Sequence, residues 1–262
     1  MKTGPAVHSR IEHASPRPNG GLTLVELLVA VLIAAFLIMG LVQIVMAARG
    51  SFQLQENQAE VQENGRYAVS TLGKLIRQTG YSPQPWNEEF ESAGLTSDTQ
   101  DQVSSRSDRL AIRFWSNTNC YDNRNPIKDS FGEAAFYLRE SSFDLNARND
   151  LTHSCRYGPT EAGFITQIKR QGFVRNVESF QALYGQDDNG DGHVDRWIRA
   201  AEWADQQQIL GIRIGLLLRS TDSVVEHSRQ DFSVLDSDYT ASADGRLRLL
   251  LEFTAPIKGR SG

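Results

Sequence analysis

The hydrophobic pattern changes its period twice along the chain. Residues 27–48 run without a charge, and Gln43 is the only strongly polar side chain among them. A helix over that run, at about 1.5 Å per residue, spans roughly 33 Å, close to the ~30 Å hydrocarbon core of a bilayer. Beyond Arg49 the apolar positions narrow to a stripe. Val61, Ala68, Leu72, Leu75 and Ile76 recur at three- and four-residue spacings, with Glu56, Glu60, Glu63, Arg66, Lys74 and Arg77 largely on other faces. No proline follows until Pro83, and Gly80 just before it is a stop signal. The pattern predicts a helix within 22–80, from about Leu24 to about Thr79 and on the order of 80 Å long. It is apolar enough to cross a membrane at about 27–48 and amphipathic at about 49–79. Gly50, Gly65 and Gly73 are its weak points.

After Tyr81 the period shortens to two. Strand-like runs stand at 110–115, 134–138, 164–168, 180–184, 209–218 and 247–253, and Ile212, Ile214, Leu216 and Leu218 share one face. Ala243-Asp244-Gly245 punctuates the chain before the last run. No alternation of strands with helices is visible. The expected fold is therefore α+β, a long N-terminal helix packed on an antiparallel sheet, with the head spanning 81–262. The polar stretch from 82 to about 108 reads as loop and the tail 258–262 as frayed.

Charge refines this picture at the N-terminus. The whole chain of 262 residues carries a formal charge of −5, with 40% apolar residues and two cysteines. Those averages exclude a multi-span membrane protein, a collagen-like repeat and a cysteine-rich scaffold, and they offer no bulk attraction to nucleic acid. Residues 1–21 hold Lys2, Arg10 and Arg17 against Glu12, so the positive-inside rule keeps this leader cytoplasmic and sends the rest outward. A secretory signal peptide has about 7–15 apolar residues followed by small ones. Here Gly20 and Gly21 precede the apolar run.

Glu26 stands out among apolar neighbours. A carboxylate at the membrane boundary is costly unless paired. Cleavage after Gly21 would place the new α-amine of Leu22 about one helical turn from Glu26; simple snorkelling of the side chain to the interface is the alternative. The string Gly21-Leu22-Thr23-Leu24-Val25-Glu26 resembles the processing motif of type IV prepilins. The resemblance implies cleavage between Gly21 and Leu22 by a prepilin peptidase and N-methylation of Leu22. It also implies pairing of Glu26 with a neighbouring subunit's N-terminus during assembly. Leu22 stands where Phe or Met is more usual. The stretch Gln62-Glu63-Asn64-Gly65-Arg66-Tyr67-Ala68, with Arg77 and the Gly80-Tyr81 pair, is similar to the PilW-type minor pilins.

Two features of the head invite chemistry. In Asp187-Asp188-Asn189-Gly190-Asp191-Gly192-His193-Val194-Asp195, oxygen-bearing side chains fall at positions 1, 3, 5 and 9 with Gly at 6. That spacing suits a Ca²⁺ loop with Asp187, Asn189, Asp191, the His193 backbone carbonyl and Asp195 as ligands, and with Val194 anchoring the loop to the core. Position 12 is Ile198, so the usual bidentate Glu is missing, and a plain acidic turn is the competing account. PilW-like proteins often carry a similar loop after an aromatic-Gly pair, here Tyr184-Gly185. Cys120 and Cys155 would meet an oxidising compartment if the head is periplasmic, and pair as a disulfide rather than remain free buried thiols.

No nucleophile elbow, phosphate-binding loop or zincin motif occurs. His8 and His13 belong to the leader, while His153, His193 and His227 read as surface residues, so no catalytic residue is assigned. The resemblance implies a PilW-like minor pilin that starts in the inner membrane, with its N-terminus cytoplasmic and its head periplasmic, and then enters a type IV pilus. It would help initiate assembly, near the tip, with other minor pilins, the major pilin, the prepilin peptidase and the inner-membrane assembly platform as partners. A GspJ-like pseudopilin of a type II secretion system and a non-polymerising, membrane-anchored calcium-binding module are the alternatives.

Overall fold

The computed structural model describes residues 23–87, 90, 93–104, 107–200 and 202–257. Helix α1 covers Leu24–Ile76. The chain divides into two units, Met1–Gly50 and Ser51–Gly262, so the apolar and amphipathic parts of α1 fall in different units.

In the second unit, α1 buries Asn57, Val61, Gly65, Ala68, Leu72, Gly73, Leu75 and Ile76. Steps of three and four residues keep these on one stripe, as the spacing predicts. Full burial of a large aliphatic side chain contributes about 1.5–3 kcal/mol, so Val61, Leu72, Leu75 and Ile76 suffice to fix this segment on the head. Gly65 is not a bend: a Cβ there would overlap Leu251 Cδ1, so the glycine permits close approach of helix and sheet. The helix ends three residues before the expected boundary. Turn hydrogen bonds from Gln78 N–H to the Leu75 carbonyl (3.0 Å) and from Thr79 N–H to Ile76 (3.0 Å) replace its last turn. Gly80 adopts φ +75° and donates to the Arg113 carbonyl at 2.9 Å, which ties the helix end to the sheet.

Among the described residues twelve strands follow: β1 (Gly94–Leu95), β2 (Gln100–Ser104), β3 (Ser107–Ser116), β4 (Tyr137–Leu145), β5 (Leu151–Gly158), β6 (Ile165–Val174), β7 (Val177–Gln186), β8 (Arg196–Ile198), β9 (Ile209–Ser223), β10 (Gln230–Val234), β11 (Ser237–Ala241) and β12 (Arg246–Pro256). Ten form one sheet with the path β12-β9-β7-β3-β4-β5-β6; β1 and β2 pair with β3, and β8 with β7. β10 and β11 make a separate hairpin. It covers Gly215 of β9, where a Cβ would meet Val234 and Leu235. Ile212, Ile214, Leu216 and Leu218 are all buried, and so is Leu217 on the opposite face.

Three sequence expectations change. The stretch after Tyr81 is not all loop, because it contains β1, β2 and the start of β3. The run at 134–138 overlaps only the start of β4, which extends to Leu145 because its polar residues pair with β3 and β5. The sheet is antiparallel except at one seam, where β3 and β7 run parallel through a single pair, Ser107 with Phe180. Asp108 sews that seam: its carboxylate accepts from Gln102 N–H (2.9 Å) on one side and Ala182 N–H (2.8 Å) on the other.

His153 is the fourth correction. It lies not on the surface but largely buried on β5, stacked on Phe143 with ring centroids 4.9 Å apart and planes 9° apart, and edge-on to Phe173. Burial, with the nearby Arg139 charge, lowers its pKa to about 4. An unfolded histidine titrates near 6.5. The neutral ring therefore contributes stability that is present above about pH 6.5 and lost as pH falls towards 4. Replacement by Phe keeps the stacking and removes the titration. The thermal midpoint of His153→Phe, relative to the unmodified full chain in detergent, is expected to rise steadily from pH 7.5 to pH 4.5. A difference that does not change with pH would contradict the assignment.

Candidate functional site

The first unit presents apolar side chains with nothing over them. Every residue from Leu24 to Gly50 is exposed, including Leu24 (75%) and Phe36 (73%). An 18-residue window of α1 is long and apolar enough to cross a membrane, and none of it is buried. Twenty-odd exposed aliphatic side chains are unfavourable in water, at about 25 cal/mol per Å² of apolar surface. This segment is suited to lipid or to packing against other apolar helices.

At its start, Thr23 and Glu26 form a capping box. Thr23 N–H and Oγ1–H both donate to Glu26 Oε2 at 3.2 Å, and Glu26 N–H donates back to Thr23 Oγ1 at 3.3 Å. These bonds satisfy donors that a helix start leaves orphaned, and the carboxylate lies favourably at the positive end of the helix dipole. Sequence reasoning assigned Glu26 an assembly role and passed over the cap, although Thr-x-x-Glu is its signature. Glu26 Oε1 makes no hydrogen bond among the described residues. Gly21 and Leu22, the expected cleavage and methylation positions, lie outside the described residues.

The acidic loop lies between β7 and β8. Asp187 Oδ1 accepts from Asn189 N–H (3.2 Å) and Gly190 N–H (2.6 Å), and Oδ2 accepts from Gly192 N–H (2.9 Å). These backbone donors, that of Gly192 above all, hold the Asp187 carboxyl below its ordinary range. Asn189 Oδ1 accepts from Asp191 N–H at 2.8 Å, and Asp191 Oδ1 from His193 N–H at 2.9 Å. Asp195 accepts from Asp188 N–H at 2.8 Å and Asn189 Nδ2 at 3.4 Å. Gly190 and Gly192 supply the positive φ values (79° and 83°) that close the turn. The loop oxygens thus serve its own backbone. Among the described residues, no three His, Cys, Asp or Glu side chains are grouped as a metal set would be. Val194 anchors the loop only partly. It stays 37% exposed and lies over Gly185, where a Cβ would meet it at 2.8 Å.

Cys120 and Cys155 form a disulfide, with Cα atoms 5.9 Å apart. It fastens the loop between β3 and β4 onto β5, beside Tyr137 and Tyr157. Closing a loop of 35 residues' separation contributes roughly 3–4 kcal/mol on a chain-entropy account.

Residues 152–258 match the family described as Type IV Pilus-assembly protein W. Residues 16–42 match the prokaryotic N-terminal methylation motif, which takes in the Gly21–Glu26 string and most of the apolar run. No curated protein matches the chain. Among solved structures, a type IV-like pilin from Thermus thermophilus is similar at 14% identity and a TM-score of 0.48, over 77% of this chain and 98% of that one. With an apolar first unit under a methylation motif, and a β-sheet head whose second half matches Pilus-assembly protein W, the chain is similar to type IV prepilin-like proteins of the PilW type.

Proposed function

We propose that the chain is a minor pilin, held in the inner membrane at about 27–48 with its N-terminus cytoplasmic and its head periplasmic, and then drawn into a type IV pilus. It helps initiate assembly near the tip, together with other minor pilins, the major pilin and the inner-membrane platform. The observation that carries this reading is the uncovered apolar helix with Glu26 at its start: one carboxylate oxygen caps the helix and the other is left for a neighbour's amine. Processing by a prepilin peptidase supplies that amine at Leu22. The division into leader 1–21, helix 22–80 and head 81–262 follows from the same account. The match over 152–258 favours a pilus over a type II secretion pseudopilin.

Glu26→Gln separates the two roles of this side chain. Gln serves at the N3 position of a capping box, but it cannot form an ion pair. The variant is expected to accumulate in the membrane at the normal level while pilus number, or this subunit's incorporation, falls by about tenfold or more, the scale of one lost charged interaction. Unchanged pilus number together with unchanged type II secretion would contradict filament assembly of either kind.

Calcium is a separable part of the proposal, supported by the spacing of Asp187, Asn189, Asp191 and Asp195. Binding would turn these oxygens from backbone donors towards an ion. At about 100 times the dissociation constant, a bound ligand adds about 2.7 kcal/mol to stability. Excess calcium chloride is therefore expected to raise the thermal midpoint of the full chain, and Asp191→Ala to abolish the rise. An unmoved midpoint in the unmodified chain leaves loop 187–195 as an acidic turn.

A further inference from the structure

The face of β3–β6 turned away from α1 carries a second, unassigned feature. Alternation along β3 buries Leu110, Ile112 and Phe114 in the core and turns Arg109, Ala111 and Arg113 to the other side. Strand register then builds three rows across that side. In the first, Arg113 lies opposite Glu140, and Glu140 opposite Arg156. In the second, Ala111 lies opposite Ser142, and Ser142 opposite Ser154. In the third, Arg109 bonds Asp144 through Nε (3.1 Å) and Nη2 (2.7 Å), and Arg170 reaches the same carboxylate at 3.1 Å. A row of small residues is thus walled by two rows of ion pairs. Same-face residues along a strand are about 6.6–7 Å apart, so the walls are about 13–14 Å apart. The result is a half-open trough of about 430 Å³, with Ile168 and Lys169 of β6 on its border.

This construction is costly for a surface with only a structural task. The Glu140 side chain is 5% exposed and that of Asp144 10%, and taking a carboxylate out of water costs several kcal/mol before pairing. Each is matched by two arginines: Glu140 by Arg113 (2.5 Å) and Arg156 (2.7 Å), Asp144 by Arg109 and Arg170. Rigid, satisfied charges therefore frame the trough. Two lining groups stand outside this balance. Lys169 and the Ser142 hydroxyl make no ion pair or hydrogen bond among the described residues. Ser154 Oγ accepts from Arg170 N–H at 2.9 Å, which leaves its own proton to donate.

We propose that the trough binds a ring-sized, polyhydroxylated monoacid, a sugar of the uronic-acid class. Its carboxylate meets Lys169, and its hydroxyls bond to Ser142 and Ser154 and to the remaining lone pairs of Glu140, whose two oxygens each accept from one arginine. Three features select this class. The volume lies at the small end of ligand cavities, which run from roughly 300 to 1,000 Å³. The lining mixes donors with acceptors, as a polyol requires, whereas a dense anion such as phosphate would face the two carboxylates. Ile168 supplies an apolar patch for the C–H face of a ring. The site is independent of the assembly role of Glu26.

Titration calorimetry of the full chain in detergent micelles, with galacturonate, galactose and inorganic phosphate as probes, tests the assignment. Galacturonate is expected to bind about tenfold or more tighter than either control. Lys169→Ala should weaken it about tenfold, the loss of one charge-assisted hydrogen bond, with an unchanged thermal midpoint. Ser142→Leu, which fills the floor, should abolish binding. No heat with galacturonate, equal binding of galactose or phosphate, or galacturonate binding that neither variant alters would overturn the proposal.

Discussion

The molecule is organised around an apolar segment that its own chain does not cover. From Leu24 to Gly50 no side chain is buried, so the stability of this part must come from another environment. A soluble core helix would bury such a run at about 1.5–3 kcal/mol for each large side chain. On the proposed account that gain is deferred, first to lipid and then to the helices of neighbouring subunits. A helix end inside such an environment cannot leave its polar groups unsatisfied. Thr23 and Glu26 answer that requirement with bonds inside one turn.

The same element serves a different purpose past Ser51. One stripe of α1 enters the core of the head, and Gly65 brings helix and β12 close enough for Leu251 to pack where a side chain would otherwise stand. Polar bonds register this contact: Asn57 Oδ1 accepts from Asp222 N–H at 3.1 Å, and Glu60 accepts from Thr221 Oγ1–H at 2.8 Å. The sheet is joined at its middle by one parallel pair and the Asp108 carboxylate, and fastened near its far edge by the Cys120–Cys155 disulfide. The sheet face away from the helix is covered at β9 by the β10–β11 hairpin and carries a rigid polar surface over β3–β5.

What the sequence disclosed follows from how physical signals are written into it. The apolar run, the helical stripe and the alternating core strands are legible because burial imposes a period on residue type. Val61, Ala68 and Leu72, like Ile212 through Leu218, were visible for that reason. β5, with the sequence Leu-Thr-His-Ser-Cys-Arg-Tyr-Gly, was not, since its outward positions are polar and its inward ones include a histidine and a cysteine. The hairpin of β10 and β11 alternates around small and acidic residues and is held by pairing rather than by its own core. Charges are the hardest to place. Glu140 and Asp144 look like surface residues in a string of letters, and only cross-strand register brings two arginines to each. The Asp-rich loop shows the reverse: its spacing was legible, whereas the use of its oxygens on its own backbone is a matter of geometry.

Chemically, the account rests on a free amine at Leu22, the cation with which Glu26 of a neighbouring subunit would pair during the proposed assembly. Intact-mass and N-terminal fragment analysis of the protein recovered from peptidase-positive cells measures this directly. The account predicts a chain that begins at Leu22 and carries one N-methyl group. A chain still beginning at Met1, or cut at another bond, would contradict it.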